Sequence, residues 1–386
     1  MNFVYLSPHF PPNYIQFAQQ LHYLGVNVLG LADEPYDLLP HNLKNSLAVY
    51  YRVNDMHNYD ELLRALGYFT HQYGRIDRIE SHNEYWLETE ARLRLDFNIP
   101  GLQGEDLARA KRKSRMKEVF RKAGVAVARG RVVRSFEDAK KLVHQTGYPL
   151  VAKPDIGVGA AKTFKLHNKN ELEAFFSYKP DVDYILEEFI EGDIVTFDGL
   201  TDRDGNLVYN NSLVYDKGIM EAVSGEMIYY YTEREIPPDL AEAGMRVLKA
   251  FNVRERFFHF EFFRRPETNE IVALEVNLRP PGGLTTDMWN YASDIDIYKE
   301  WAHIVAHNRF TSEYTRKYHV AFVGRKYRFD YATPHEAVAA ELGPALVHHE
   351  PIAGIFSAAL GDYGYLVRSP ERDEILDMAK FIQALA

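Results

Sequence analysis

At 386 residues, with 46% hydrophobic, 26% charged and 13% aromatic side chains, the chain has the composition of a folded protein of two or three globular domains rather than a disordered one. A formal net charge of -10 makes nonspecific nucleic-acid binding a poor expectation. Zero cysteines exclude disulfides, thiolate nucleophiles and cysteine-ligated zinc, and fit a reducing, cytoplasmic setting; neither a secretory signal nor a membrane span is expected.

Phe3 to Leu6 reads as a buried strand, Ser7 to Asn13 as a loop, Tyr14 to Leu24 as a helix and Val26 to Leu31 as a second strand. That order predicts a βαβ unit and a parallel sheet. Its first turn has no Gly-x-Gly-x-x-Gly, which argues against a dinucleotide site. A helix is expected over Tyr59 to Tyr73 and a strand end at Arg78 to Ser81. Glu80-Ser81-His82-Asn83-Glu84 then falls where open α/β sheets present ligand groups, at a strand's carboxyl end. The competing reading is that these polar residues cap a helix over Tyr85 to Leu95. Phe97 to Gly101 marks a first domain boundary.

Leu107 to Ala123 has helical spacing and a basic face, and Gly124 stops it. Taken alone, Lys111-Arg112-Lys113 is more often a solvated face than a site. Further on, a strand delivers Lys153 to a loop of small residues, Gly157 to Ala161, followed by Lys162 and a strand over Thr163 to Leu166. Small residues let backbone N–H groups approach phosphate oxygens, and lysine adds charge. A glycine-containing hairpin turn explains the same residues. Tyr184 to Ile190 reads as a strand that continues past Gly192 as Ile194 to Leu200. Its main-chain edge beside Leu186, Phe189 and Ile190 could hold a flat heterocycle, although an ordinary core strand fits equally well.

Phe257 to Gly283 carries the densest pattern. Phe258, Phe260 and Phe262 alternate with His259 and Glu261. Val272, Leu274, Val276 and Leu278 alternate with Ala273, Glu275, Asn277 and Arg279. Period-two spacing predicts two strands, each with a hydrocarbon face and a polar face. Glu261 and Glu275 repel if they face each other, and a hard divalent cation such as Mg²⁺ would remove that repulsion. A half-buried hairpin with its polar side in water is the competing reading. Pro280-Pro281-Gly282-Gly283 supplies backbone freedom beside Arg279. In the tail, Trp289 to His307 reads as a helix, Tyr318 to Tyr331 as strands, Ile352 to Ala359 and Tyr363 to Val367 as two more strands, and Glu371 to Ala386 as a closing helix. His348-His349-Glu350 reads as a polar loop.

From about Leu107 to Asp294 the motifs resemble the ATP-grasp superfamily, in particular its carboxylate–amine ligase and carbamoyl-phosphate-synthetase-like branch. The resemblance rests on Glu261, Glu275-x-Asn277-x-Arg279 and the Pro-Gly-Gly that follows. It implies that Glu261, Glu275 and Asn277 hold Mg²⁺ (Mn²⁺ being able to take its place) against ATP phosphates. Lys113 and Lys153 would contact phosphate, with Gly157, Gly159 and Lys162 in the flap above it. Glu187, Glu188, Phe189 and Ile190 fall where the family binds adenine. The acidic residue that commonly holds the ribose falls at Ile194, which leaves Asp193 beside it. Arg112 stands where the family usually has Asp. Arg279 and Lys153 would be catalytic. Arg279, Gly282, Gly283, Tyr215, Lys217, His82 and Glu84 would line the acceptor pocket, with lids at Gly157 to Ala161 and Tyr215 to Tyr231.

The resulting expectation is an α/β protein. Residues 1–103 would form an N-terminal βαβ parallel-sheet domain. Residues 104–310 would form an ATP-grasp domain of two α+β lobes, about 113–186 and 187–310, and residues 311–386 an α+β subdomain completing the larger lobe. The expected activity is ADP-forming ligation: a small carboxylic acid, an amino acid among the candidates, becomes an acyl phosphate that an amine attacks. A bicarbonate-activating, biotin-carboxylase-like enzyme and a non-catalytic nucleotide-binding regulator are the alternatives. The expected partners are small molecules rather than nucleic acid or membrane, with a homodimer common in such proteins.

Overall fold

A computed structural model describes residues 1–157, 162–218 and 225–386. The first segment forms a four-stranded parallel sheet in the order β3-β2-β1-β4: β1 (Asn2–Leu6), β2 (Asn27–Ala32), β3 (Val49–Arg52) and β4 (Arg78–Glu80). The βαβ expectation holds, with the helix Ile15–Tyr23 joining β1 to β2. Both sheet faces are covered, as parallel sheets require. Val4, Leu6, Leu29 and Leu31 pack under the helix Tyr59–Tyr73. On the other face Phe3, Tyr5 and Val28 join a core with Phe17, Trp289, Tyr298 and Trp301. That second core belongs partly to the rest of the chain, so the N-terminal sheet is docked through aromatic side chains.

The central element is a ten-stranded sheet in the order β17-β18-β16-β13-β12-β10-β14-β15-β5, with β11 also paired to β10. Its strands are β5 (Ala126–Val127), β10 (Asp193–Thr201), β11 (Leu207–Asn211), β12 (Leu213–Tyr215), β13 (Tyr229–Thr232), β14 (Phe257–Arg264), β15 (Ile271–Asn277), β16 (His319–Arg325), β17 (Leu346–Pro351) and β18 (Tyr363–Ser369). Phe258, Phe260 and Phe262 project to one side, against Met116, Phe120, Leu240 and Val247 of two helices, Lys113–Lys122 and Pro238–Ala250. Each such phenylalanine contributes roughly 1.5–3 kcal/mol by burial.

A smaller antiparallel sheet, β6-β9-β7-β8, holds β6 (Gly130–Val133), β7 (Leu150–Pro154), β8 (Phe164–Leu166) and β9 (Tyr184–Glu188). Leu150, Ala152, Tyr184 and Leu186 face the helices Phe136–Thr146 and Lys169–Tyr178. By alternation Lys153 and Glu187 stand on the opposite face.

Several expectations are corrected. Tyr184 to Leu200 is not one strand: β9 and β10 lie in different sheets, and the chain crosses between them after Glu188. A lobe boundary after residue 186 would therefore cut β9. Met116 and Phe120, from the helix that starts at Lys113, pack on the β14 phenylalanines, and β5 pairs with β15, so this stretch packs with the large sheet. Nor is β9 an open edge, since β6 and β7 flank it; the Glu188 and Phe189 N–H groups donate to Arg129 and Pro149 carbonyls.

The helix expected over Leu107 to Ala123 is two, Gly104–Lys111 and Lys113–Lys122, broken where Arg112 is extended. Trp289 to His307 is likewise two, Thr285–Ser293 and Ile297–His307, the first ending at Asp294 with φ 51. Ile352 to Ala359 leads into and overlaps a helix, Gly354–Leu360, rather than a strand, and His348-His349-Glu350 lies in β17 rather than a loop. The apolar spacing in these short pieces fits both periods, and packing decides between them. In β15 strict alternation fails at Leu274. A bulge follows the Glu261–Glu275 pair, so that Phe262 faces Ala273, and Ala273 joins the phenylalanine core.

Candidate active site

On the polar side of the hairpin, Glu261 is the direct cross-strand partner of Glu275, and His259 of Asn277. Both carboxylates therefore share one face. Each is met by a cation or donor from this chain. Lys113 Nζ lies 2.9 Å from Glu275 Oε1 and donates to the Gly157 carbonyl at 3.1 Å. Glu261 Oε1 is 3.1 Å from His259 Nε2 and accepts from Asn277 Nδ2 at 3.2 Å. Burial would raise the Glu261 carboxyl, but His259, Arg279 and Lys153 hold it below the usual range.

Lys113 reaches this face because it opens the helix Lys113–Lys122. Asp155, just past β7, fixes that opening: its carbonyl accepts from Lys113 N at 2.9 Å and its carboxylate from Ser114 N at 2.8 Å. A carboxylate at a helix N-terminus also suits the helix dipole. One turn on, Lys117 is buried and lies 2.9 Å from Glu187 Oε1, while Lys153 Nζ is 3.2 Å from Glu187 Oε2. Burial would raise the Glu187 carboxyl, but the two lysines bring it down to about 2. This cluster joins the small sheet to the large one: Lys153 and Glu187 come from one, Glu261, Glu275 and Asn277 from the other, and Lys113 bridges them.

Arg279 follows β15. Its Nη1 donates to the Pro280 carbonyl at 2.8 Å, and its Nε is 4.0 Å from Glu84 Oε2. Glu84 is buried, with Lys111 Nζ 3.7 Å from its Oε1, and its Oε2 has no hydrogen-bond partner among the described residues. Burial pushes its carboxyl up, against the pull of Arg279 and Lys111. The loop beyond is pinned: Tyr14 Oη donates to the Pro281 carbonyl at 3.0 Å, and Gly283 takes φ 65, a left-handed conformation that favours glycine. Gly282 is exposed. Tyr215 stacks on Tyr230, with ring centroids 5.0 Å apart.

Other expected site residues stand apart from this cluster. Glu188 pairs with Arg129, and Phe189 lies under Lys165 Nζ at 3.6 Å. Ile190 packs with Ala128 and Val272. Asp193 and Lys162 are exposed. Lys217 pairs with Glu226. His82 is buried among Tyr5, Tyr14, Phe17, Phe257 and Trp301, which fits a structural role better than substrate contact. Of the strand-end residues, Asn83 does cap, accepting from Tyr85 N, and Glu80 pairs with Arg256 at 2.6 Å. Gly159 and the rest of 158–161 lie outside the described residues, as do 219–224 of the second lid.

Sequence reading missed three contributors. Lys117 was legible as the i+4 neighbour of Lys113 on one helix face. His259 shares Glu261's face by alternation. Asp198, 2.8 Å from His259 Nδ1, gives no local signal, because it lies on β10 far away in the chain. Burial would lower the His259 ring, but Asp198 and then Glu261 raise it to about 9. Among the described residues no group of three or more His, Asp or Glu is arranged to hold a metal, so a cation here would rely on the Asn277 amide and phosphate oxygens as well as the two carboxylates. No helix among them is long and apolar enough to cross a membrane.

A family profile described as an ATP-grasp domain matches residues 146–287. The carbamoyl phosphate synthase large chain of Bifidobacterium longum (strain DJO10A) is 26% identical over 201 residues, covering 49% of this chain but 18% of that protein. The L-arginine-specific L-amino acid ligase of Bacillus subtilis is 24% identical over 246 residues, 59% of each chain. This chain thus spans less than two thirds of both relatives. In overall shape it is similar to the crystal structure of an L-amino acid ligase from Bacillus licheniformis, with a TM-score of 0.73 at 14% identity over 98% of this chain and 96% of that one. Likeness at that identity fixes the fold.

Proposed function

We propose that this chain, which carries an ATP-grasp domain over residues 146–287, is an ATP-dependent, ADP-forming ligase that activates a small carboxylic acid as an acyl phosphate for attack by an amine. The single observation that carries the reading is the opposition of Glu261 and Glu275 on one face of β14–β15, within reach of Lys113 and in one electrostatic cluster with Lys153, Glu187 and Arg279.

In this reading Glu261, Glu275 and Asn277 hold Mg²⁺. The donor set fits, being hard oxygens with repulsion to relieve and one carboxylate already neutralised by a lysine. When bound, the cation would neutralise ATP phosphate oxygens. Lys113 and Lys153 can exchange their carboxylate partners for phosphate, which keeps charge balanced as the nucleotide enters. Lys117 stays on Glu187 and fixes the face from which Lys153 reaches. Gly157, Gly159 and Lys162 would close over the phosphates; Glu187 to Ile190 would lie along adenine, and Asp193 near the ribose. Because Glu188 and Phe189 N–H groups are already engaged, adenine contacts would fall to the carbonyls and to Ile190 N–H. Arg279 would pair with the acceptor carboxylate as the γ-phosphoryl moves to it. The protein supplies no nucleophile; it orients the two anions and excludes water from the acyl phosphate.

The relatives' names, L-amino acid ligase among them, support an amino acid as one substrate. The test is purified protein with Mg·ATP and panels of amino acids and amines, read by phosphate release and product mass. Acid-dependent ADP formation is expected, and ATP binding without acid-dependent turnover across the panel would refute the ligase reading.

A further inference from the structure

Glu261 is gripped on one of its two oxygens. His259 Nδ1 lies 2.8 Å from Asp198 Oδ1 and Nε2 lies 3.1 Å from Glu261 Oε1. Carboxylate oxygens here can only accept, so both ring nitrogens act as donors. Asp198 is fully buried and its other oxygen accepts from Thr196 Oγ1 at 2.6 Å; Thr196 Oγ1 in turn accepts from Leu213 N at 2.9 Å. The ring is thus clamped from β10 and β12 and has little freedom to leave Glu261. Asn277 Nδ2 donates to the same Glu261 Oε1 at 3.2 Å. Oε1 receives two donors, while among the described residues Oε2 receives none.

A carboxylate with one oxygen committed to protein donors offers a cation the other oxygen alone. That limit matters differently to different ions. Ca²⁺ takes six to eight oxygens and often both from one carboxylate; Mg²⁺ takes six in a tight octahedron and keeps water or phosphate for the remainder. We propose that His259, clamped by Asp198, is a positioning residue that confines Glu261 to one-oxygen coordination and thereby sets a preference for Mg²⁺ over Ca²⁺. The inference rests on the reading of Glu261 as a cation ligand. It extends that reading to residues that touch neither cation nor nucleotide, since hydrogen bonds to a ligand's far side orient it and tune its affinity.

The test measures binding rather than turnover. Mn²⁺ is loaded onto the protein with a non-hydrolysable ATP analogue, followed by electron paramagnetic resonance, and displaced by Mg²⁺ or Ca²⁺. His259→Ala removes one of the two donors on Oε1, leaving only the Asn277 amide on it, and is expected to raise the ratio of Ca²⁺ to Mg²⁺ affinity about tenfold. His259→Ala also strands the Asp198 charge, so the Asp198→Asn/His259→Leu double variant provides a second version without a buried unpaired charge, and the same ratio change is expected. Melting curves verify that both are folded. An unchanged ratio in the folded variants, or equal weakening of both ions, overturns the inference. Glu261→Gln separates the two levels. If it weakens both ions while the His259 variants leave the ratio alone, only the role of His259 fails. If it leaves both affinities intact, the cation site lies elsewhere and both readings fail.

Discussion

Glu261 and Glu275 are direct cross-strand partners, on the face of β14–β15 opposite the phenylalanine core. Two carboxylates so placed oppose the pairing unless a positive charge joins them. In this chain Lys113 sits on Glu275 and His259 on Glu261.

Glu275→Gln should lower phosphate release at least about a hundredfold while the protein still folds, because it removes a charge at the phosphate side and leaves the hydrocarbon face untouched. Lys113 keeps its bond to the Gly157 carbonyl, so it is not left without a partner. Near-normal turnover would contradict the metal assignment. Circular dichroism and a melting curve establish folding.

Lys153 and Lys117 share Glu187 but should behave differently. Lys153→Ala is expected to raise the KM for ATP more than that for the acid, since Lys153 is the more exposed of the two and free to reach phosphate. Lys117→Met should chiefly cost stability, about 1–3 kcal/mol, because it leaves a buried carboxylate with one cation fewer. Denaturant unfolding and steady-state kinetics on both variants decide it. The reverse pattern would exchange their roles.

The Glu187 carboxyl carries a pH signature. Its folded value of about 2 lies below the ordinary 4.5, burial being outweighed by Lys117 and Lys153. A depressed acid stabilises the fold above its unfolded pKa and loses that contribution as pH falls through the folded value. Stability should therefore decline between about pH 4.5 and pH 2. Glu187→Gln should flatten the decline across that window in a pH series of urea midpoints, and an unchanged slope would count against the Lys117–Glu187–Lys153 linkage.

Gly244 provides a control away from the site. It lies in the helix Pro238–Ala250 against Phe197 of β10, where an added Cβ would collide with the ring. Gly244→Ala should cost about 1–3 kcal/mol through overpacking, despite alanine's better helix propensity. A shift in urea midpoint with KM values unchanged is the expected result; a stabilised variant would contradict the packing.

Much of the site was legible because its residues obey local periods. Alternation placed Glu261, Glu275, Asn277 and the phenylalanines on their proper faces from spacing alone. The βαβ start and the strand carrying Lys153 follow from the same kind of pattern, whereas the order of the motifs, and with it Lys113 and Glu187, entered through the family resemblance. Tertiary structure decided what has no local signal. The bulge at Leu274 arises from pairing register, and the break at Arg112 accompanies the Asp155 carboxylate capping the helix that starts at Lys113. β9 and β10 separated into two sheets, although their apolar pattern runs on almost continuously. Asp198 met His259 across two strands, and Lys117 on its helix met Glu187 on β9, only because elements distant in the chain became neighbours. A side chain's period is fixed by backbone geometry within a few residues, whereas its charge partner is fixed by which elements the hydrophobic cores bring together.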